Sequence, residues 1–196
     1  MIEELVEIDK KILIFLNGFH SPGLDPVMIV ITKTFFWIPL YVFLIFLLFK
    51  NFRKEAWFIL IGAALTILLC DQITSTFMKP FFARLRPSQD PTMQSVLHFV
   101  DGYRGGLYGF ASSHAANTLG VSLFVWLNFR TVYRWIGVIF LWAILMTYTR
   151  IYLGVHYPGD ILVGGIVGLL CGWIGFKASE HLRKRYKKTP TLTEGA

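Results

Sequence analysis

Charge is scarce in this chain of 196 residues: 16% are Asp, Glu, Lys or Arg, against 55% hydrophobic residues. An ordinary soluble domain carries about 25% charged residues, so a water-exposed globule is excluded. One membrane-embedded domain over residues 1–196 is expected instead, with a core at 27–176 and a basic tail at 177–196. Cysteine is scarcer still. Cys70 and Cys171 both sit inside apolar runs, where a free thiol behaves as a small hydrophobe, so neither a disulfide framework nor a thiolate metal site is expected. No basic region followed by an apolar one opens the chain. Glu3, Glu4, Glu7 and Asp9 stand there, which excludes a cleavable secretory signal and implies that the N-terminus stays on the mature protein. No internal repeat or low-complexity segment is evident, and Thr189 to Ala196 reads as a disordered end. The net charge of +7 comes without any stacking or groove-reading motif. Nucleic acid is therefore excluded as a partner, and the positive charge is assigned to topology and to anionic lipid.

What is present is apolar length. A bilayer core about 30 Å thick takes roughly 20 apolar residues in helix. Five runs qualify or nearly qualify: Val27 to Phe49, Ala56 to Met78, Ala115 to Phe129, Trp135 to Tyr152 and Ile161 to Phe176. The third and fifth are short. Before them, Leu5, Ile8, Ile12, Phe15, Leu16 and Phe19 recur at helical spacing, with Glu3, Glu7, Lys10 and Asn17 opposite. That pattern fits an amphipathic helix lying at the membrane interface and equally a capping helix packed on the bundle. The expected fold class is all-α and integral to the membrane, with about five transmembrane helices plus the N-terminal amphipathic helix.

Five spans place the termini on opposite sides. The side holding loops 50–55 and 130–134 and the tail carries 11 of the 19 basic residues, so the positive-inside rule places the C-terminus in the cytoplasm. The other eight lie on the outer side, where three segments set ionisable residues at helix ends. Charge at a membrane edge is costly and marks function. In the first segment, prolines end the helix while Lys79, Arg84 and Arg86 accumulate charge that suits an anion; snorkelling anchors are the plainer alternative. The second, Gly109-Phe-Ala-Ser112-Ser113-His114, opens a helix whose free N–H groups and dipole favour phosphate, or simply caps it through serine. His114 is a residue that capping does not need.

In the third segment, Thr149 to Asp160, Pro158-Gly159 forces a turn between His156 and Asp160. A carboxylate on one imidazole nitrogen fixes the tautomer and stabilises the imidazolium, which makes His156 a nucleophile and Asp160 its orienter. Lys79, Arg86 and Arg150 then neutralise a phosphoryl group, and His114 is left to protonate the leaving oxygen. Three cations beside the histidines make a metal site electrostatically poor, so no metal and no cofactor are expected. His20, His98 and His181 are read as bystanders.

These residues resemble the type 2 phosphatidic acid phosphatase superfamily over roughly residues 27–176. Its motifs have the forms Lys-x6-Arg-Pro, Pro-Ser-Gly-His and Ser-Arg-x5-His-x3-Asp. Here they read Lys79 to Arg86-Pro87, Ala111-Ser112-Ser113-His114, and Thr149-Arg150 to His156 to Asp160. The resemblance implies a phosphohistidine on His156, His114 as acid and then base, Asp160 as orienter, and Lys79, Arg86, Ser112, Ser113 and Arg150 around the phosphate. Ala111, Ser113 and Thr149 depart from the family's proline, glycine and serine. Among members the chain is most similar to bacterial undecaprenyl diphosphate phosphatases and lipid A phosphatases.

The expected activity is hydrolysis of a lipid-linked phosphate or diphosphate at the outer face of a bacterial inner membrane. Undecaprenyl diphosphate ranks first, because its carrier is recycled on that face and many cations suit a diphosphate. Lipid A ranks second, and phosphatidylglycerol phosphate or phosphatidic acid third. An inactive lipid-binding or transport protein is the rival from another class. Residues 88–110 form a long loop expected to cover the site, with the patch Val96 to Val100 dipping into lipid and Arg104 offered to a second phosphate or head group. Asp71, inside the second run, is read as structurally paired. Gly164, Gly168 and Gly172 recur every four residues, which suits close packing inside the bundle or, alternatively, a homodimer.

Overall fold

The computed structural model describes residues 2–188; the expected disordered end, 189–196, lies outside them. Among the described residues eight α-helices run in chain order: α1 Ile2–Asn17, α2 Asp25–Ile31, α3 Ile38–Phe52, α4 Ala56–Asp71, α5 Lys79–Phe82, α6 Ser113–Phe129, α7 Ile139–Tyr152 and α8 Pro158–Lys188. Among the described residues the one β feature is an isolated antiparallel bridge, Leu85 to Tyr108. By length and composition, three helical stretches are apolar enough to cross a membrane: Thr34–Phe82, Arg134–Tyr152 and Pro158–Lys187. The first is folded into a hairpin, because Arg53 takes φ +48° between α3 and α4.

The expected first run, Val27 to Phe49, is not one helix. It breaks at Lys33, whose backbone is extended, and restarts through a 3-10 turn into α3, where Pro39 fits the first turn because it lacks the N–H that a helix interior needs. The second run departs differently. After α4 the chain winds as a π-helix over Gln72–Met78 before α5, a form that recurs at functional sites.

Small residues decide the central packing. A Cβ added at Gly164, Gly168 or Gly172 of α8 would collide with the backbone of Ser112, Ala116 or Gly120 on α6. The glycine row thus seats α8 against α6 inside the bundle, which removes it as a dimerisation stripe. Two turns beyond Gly168 on the same face of α8, Gly175 meets Gly62 and Thr66 of α4 in the same way.

At one end of the bundle Glu55 accepts from Arg183 Nε at 2.8 Å and pairs with Lys187 at 3.0 Å, and Asn51 donates to the Tyr133 hydroxyl at 3.0 Å. Loops 50–55 and 130–134 and the tail therefore share an end. At the other end α1 rests on the bundle through buried Leu13 and Asn17, while Leu5, Ile8, Ile12, Phe15 and Phe19 stay exposed. Asn17 is no solvent-facing residue: its amide donates to the carbonyls of Tyr152 and Ile151 at 2.8 and 3.2 Å, and its oxygen accepts from His98 N at 2.7 Å. The long loop also turns inward. Leu97 packs with Leu13, Ile151 and Tyr157, and Val100 with Met28, Tyr152 and Val155, so these two members of the patch expected in lipid are core, while Val96 stays exposed.

Candidate active site

His156 lies in the link between α7 and α8 and is 2% exposed. Its Nδ1 is 3.2 Å from Asp160 Oδ2, and its Nε2 is 3.1 Å from Arg86 Nη1. A guanidinium only donates, so Nε2 accepts and the ring proton is left on Nδ1, facing the carboxylate. The available lone pair is therefore on Nε2. Burial holds the His156 pKa well below the ordinary imidazole range, and Arg86, Arg150 and Lys79 press it in the same direction. The ring is neutral at neutral pH.

Asp160 is fixed through both carboxylate oxygens and its backbone. Oδ2 also accepts from Tyr157 N at 3.0 Å, Oδ1 accepts from Arg84 Nη1 at 2.9 Å, and the carbonyl accepts from Ser112 N at 2.9 Å. Its place three residues after Tyr157 is that of the acidic member of a capping box, so starting α8 and orienting His156 are one arrangement.

The cationic wall comes from three elements. Arg86 is anchored by Nε donating to the Tyr108 carbonyl at 3.1 Å. Arg150, on α7, donates from Nη1 to Thr32 Oγ1 at 2.8 Å and to the Tyr103 hydroxyl at 3.1 Å, while its buried Nε has no partner. Lys79 donates to Ser113 Oγ and, at 3.1 Å, to Ser75 Oγ; the Ser113 hydroxyl also lies 2.8 Å from those of Thr74 and Ser75. Ser113, where the family pattern has glycine, thus holds Lys79. Ser112 is the N-cap of α6, its Oγ accepting from Ala115 N at 3.3 Å.

His114, in the first turn of α6, interacts electrostatically with Arg150, His156 and Arg86. Its Nε2 is buried without a hydrogen-bond partner. The ring lines an apolar cavity of about 440 Å³ between α3, α4, α6 and α7, walled by Tyr41, Leu48, Ala63, Val121, Phe124 and Trp142. Arg104 is engaged differently: its guanidinium lies 4.1 Å from the Phe99 ring centre, and Nη1 is buried without a partner. Asp71 accepts only a long contact, 3.5 Å, from Asn117 Nδ2. Among the described residues no group of three or more His, Cys, Asp or Glu side chains is set to hold a metal ion.

The sequence-predicted residues therefore fall into contact groups: His156 with Asp160 and Arg86, Lys79 with Ser113, and Ser112 with Asp160. Sequence reasoning counted Arg84 in the first cationic segment without giving it a partner, and missed Thr74, Ser75, Thr32 and Tyr103. A hydroxyl pair one turn before Lys79 in an apolar run was a readable signal for Thr74 and Ser75. Nothing in the local pattern marks Thr32 or Tyr103, which meet Arg150 only through the fold.

The model of the PAP2 superfamily matches residues 60–184. The chain belongs to the PAP2 superfamily. It is a phosphatase of that family, and its helices are apolar enough for a membrane protein. It is 41% identical over 200 residues to a lipid A 4'-phosphatase of Bacteroides thetaiotaomicron, covering 100% of this chain and 88% of that one. An undecaprenyl-diphosphatase of Sulfolobus acidocaldarius is 27% identical over 89% of this chain and 78% of its own. The fold is that of the transmembrane PAP2-type phosphatidylglycerolphosphate phosphatase from Bacillus subtilis, with a TM-score of 0.65 at 22% identity over 95% of this chain and 90% of that one.

Proposed function

We propose that this PAP2 phosphatase removes a phosphate from lipid A, with undecaprenyl diphosphate as second substrate. This reverses the order expected from the count of cations. The reason is the 41% identity, over the whole chain, to a protein named for lipid A, against 27% to one named for undecaprenyl diphosphate.

The observation that carries the chemistry is the state of His156: Nδ1–H on Asp160 and an unprotonated Nε2 whose lone pair accepts from Arg86. In the proposed reaction a phosphoryl oxygen takes over the Arg86 guanidinium, and Nε2 attacks phosphorus. The bond from phosphorus to the lipid oxygen breaks as His114 delivers a proton to that oxygen. Neutral His114 then takes a proton from water, whose oxygen displaces His156 from phosphorus. Asp160 stabilises the imidazolium that carries the phosphoryl group. Lys79, Arg86, Arg150, Ser112 and Ser113 meet the charge spread over the equatorial oxygens, the task a metal ion performs in other phosphoryl-transfer enzymes.

The unpartnered Nε2 of His114 at the rim of the apolar cavity supports a place for it beside the substrate in proton transfer, since a buried nitrogen without a partner calls for one. One acyl chain of the substrate would occupy the cavity. In this reading α3, α4, α6, α7 and α8 are the five spans, the site faces the periplasm or cell exterior, and the end held by Glu55 and Arg183 is cytoplasmic.

The test is phosphate release by the detergent-purified protein with EDTA present, from lipid A, undecaprenyl diphosphate, phosphatidylglycerol phosphate and phosphatidic acid, beside His156→Ala. Lipid A turned over fastest, with no release by the variant, is the expected result. Fastest release from another lipid would overturn the substrate assignment, and release by the variant would overturn the mechanism.

A further inference from the structure

Arg84 is the one member of the first cationic segment to which the proposed reaction gives no task. Its guanidinium bridges two carboxylates: Nη1 donates to Asp160 Oδ1 at 2.9 Å and Nη2 to Asp9 Oδ2 at 2.7 Å. Its plane lies over the Tyr157 ring, 4.0 Å from the centre. Asp9 in turn accepts at Oδ1 from Gly159 N, 2.8 Å away, in the first turn of α8. A closed circuit results, running from Asp160 through Arg84 and Asp9 to Gly159, one residue before Asp160.

Asp9 belongs to α1, the helix whose apolar stripe of Leu5, Ile8, Ile12 and Phe15 is exposed. The polar face of this helix thus reaches the carboxylate that orients His156, while the opposite face is turned outward. The side chain of Asp160 is wholly buried and those of Arg84 and Asp9 are 25% and 14% exposed, so the bridge is screened less than a surface ion pair. An arginine fork that satisfies two carboxylates at once also fixes direction, which a single point charge does not.

We infer that Arg84 and Asp9 are positioning residues for the phosphatase reaction: Asp9, carried by the amphipathic helix α1, sets Arg84, and Arg84 holds Asp160 so that its second oxygen meets His156 Nδ1. The inference rests on the reading of His156 as nucleophile and Asp160 as its orienter. It makes the seating of α1 a condition for catalysis. With Arg84 removed, Asp160 loses a cation and one of its anchors, so its negative charge acts more fully on His156. The charged groups that bear on His156 are Lys79, Arg86, Arg150 and His114, together with Asp160 itself. Of the partners of Asp160, Arg84 alone is cationic and does not touch His156.

The experiment compares Arg84→Gln, Arg84→Lys, Asp9→Asn, the double variant Arg84→Gln/Asp9→Asn, and His156→Ala, each as the full chain in the same detergent. A short, water-soluble phosphate monoester serves as substrate, so that lipid binding does not enter. Arg84→Gln is expected to lower kcat about tenfold to a hundredfold, the usual loss on removing an outer partner of a histidine-orienting group, with KM nearly unchanged. The acid limb of its pH profile should move to higher pH. Asp9→Asn should give a smaller loss of the same kind, the double variant should be no worse than Arg84→Gln alone, and Arg84→Lys should recover part of the rate.

Wild-type kcat and an unmoved acid limb in folded Arg84→Gln, with His156→Ala inactive, would overturn this inference and leave the reaction standing. Additive losses in the double variant would overturn the coupling of Asp9 through Arg84. Activity in His156→Ala would overturn both the inference and the reading beneath it.

Discussion

Arg86 Nη1 and His156 Nε2 stand 3.1 Å apart, on the opposite side of the imidazole from Asp160. The ring is thus held between a donor and an acceptor, and in the proposed reaction its attacking atom already stands beside the cation that meets the phosphate. Two predictions follow from this pair and two from the bundle around it.

Arg86→Gln removes both the proposed phosphate partner and a charge that keeps His156 neutral. The cost should be about 10²–10³ in kcat/KM, comparable to losing one transition-state donor. The sign of the pH effect is determined by the direction of the His156 shift. Burial, then Arg86, Arg150 and Lys79, hold its pKa below the ordinary value of about 6.5, so wild-type activity persists below that pH. Removing Arg86 raises the pKa, and the acid limb of kcat/KM against pH should move upward.

Asp160→Asn leaves the turn nearly isosteric but removes the charge that stabilises the imidazolium and permits the wrong tautomer. A fall in kcat of about 10⁴ is expected, by comparison with the orienting carboxylate of serine hydrolases. Single-turnover assays should show phosphorylation of His156 slowed, while vanadate still binds.

Much of this site was legible because each chemical residue stands near a helix end: Lys79 one turn before Ala83, which ends α5, His114 just after the N-cap Ser112, and His156 before Pro158, which opens α8. Spacing inside each segment carried the pattern, and the fold had only to bring three helix ends together. The pairing of Arg84 with Asp9 was not legible, because 75 positions separate them and Asp9 reads as an ordinary polar-face residue of an amphipathic helix. The loop patch at Leu97 and Val100 was misplaced for a related reason. An apolar run near a membrane face has two apolar destinations, and composition does not choose between lipid and core. The π-helical winding at Gln72–Met78 leaves the apolar run unbroken, so nothing in periodicity announces it.

The cavity beside His114 should read acyl length. Val121→Trp fills it from α6 without touching His156 or the cations. Turnover of long-chain lipid phosphates should fall at least several-fold through KM, while a short soluble monoester is hydrolysed at the wild-type rate. Equal loss on both substrates would show that the variant disturbs the site rather than the chain slot.

Gly168→Leu forces a side chain into the Ala116 backbone on α6. Overpacking of this kind costs about 1–3 kcal/mol, and thermal unfolding in detergent should begin several degrees lower. Leu170→Ala, an exposed position two residues on, should shift it far less.

The interlock of α8 with α6 also has a mechanical meaning. Helices whose backbones touch at Gly164, Gly168 and Gly172 cannot ratchet past each other by a turn without collision. A thicker or thinner bilayer must then be met by tilting helices outside that seam, such as α3 beyond its break at Lys33. The separation of His114, at the head of α6, from His156, at the head of α8, is thereby insulated from the lipid around the protein, and the reaction keeps its geometry as membrane composition changes.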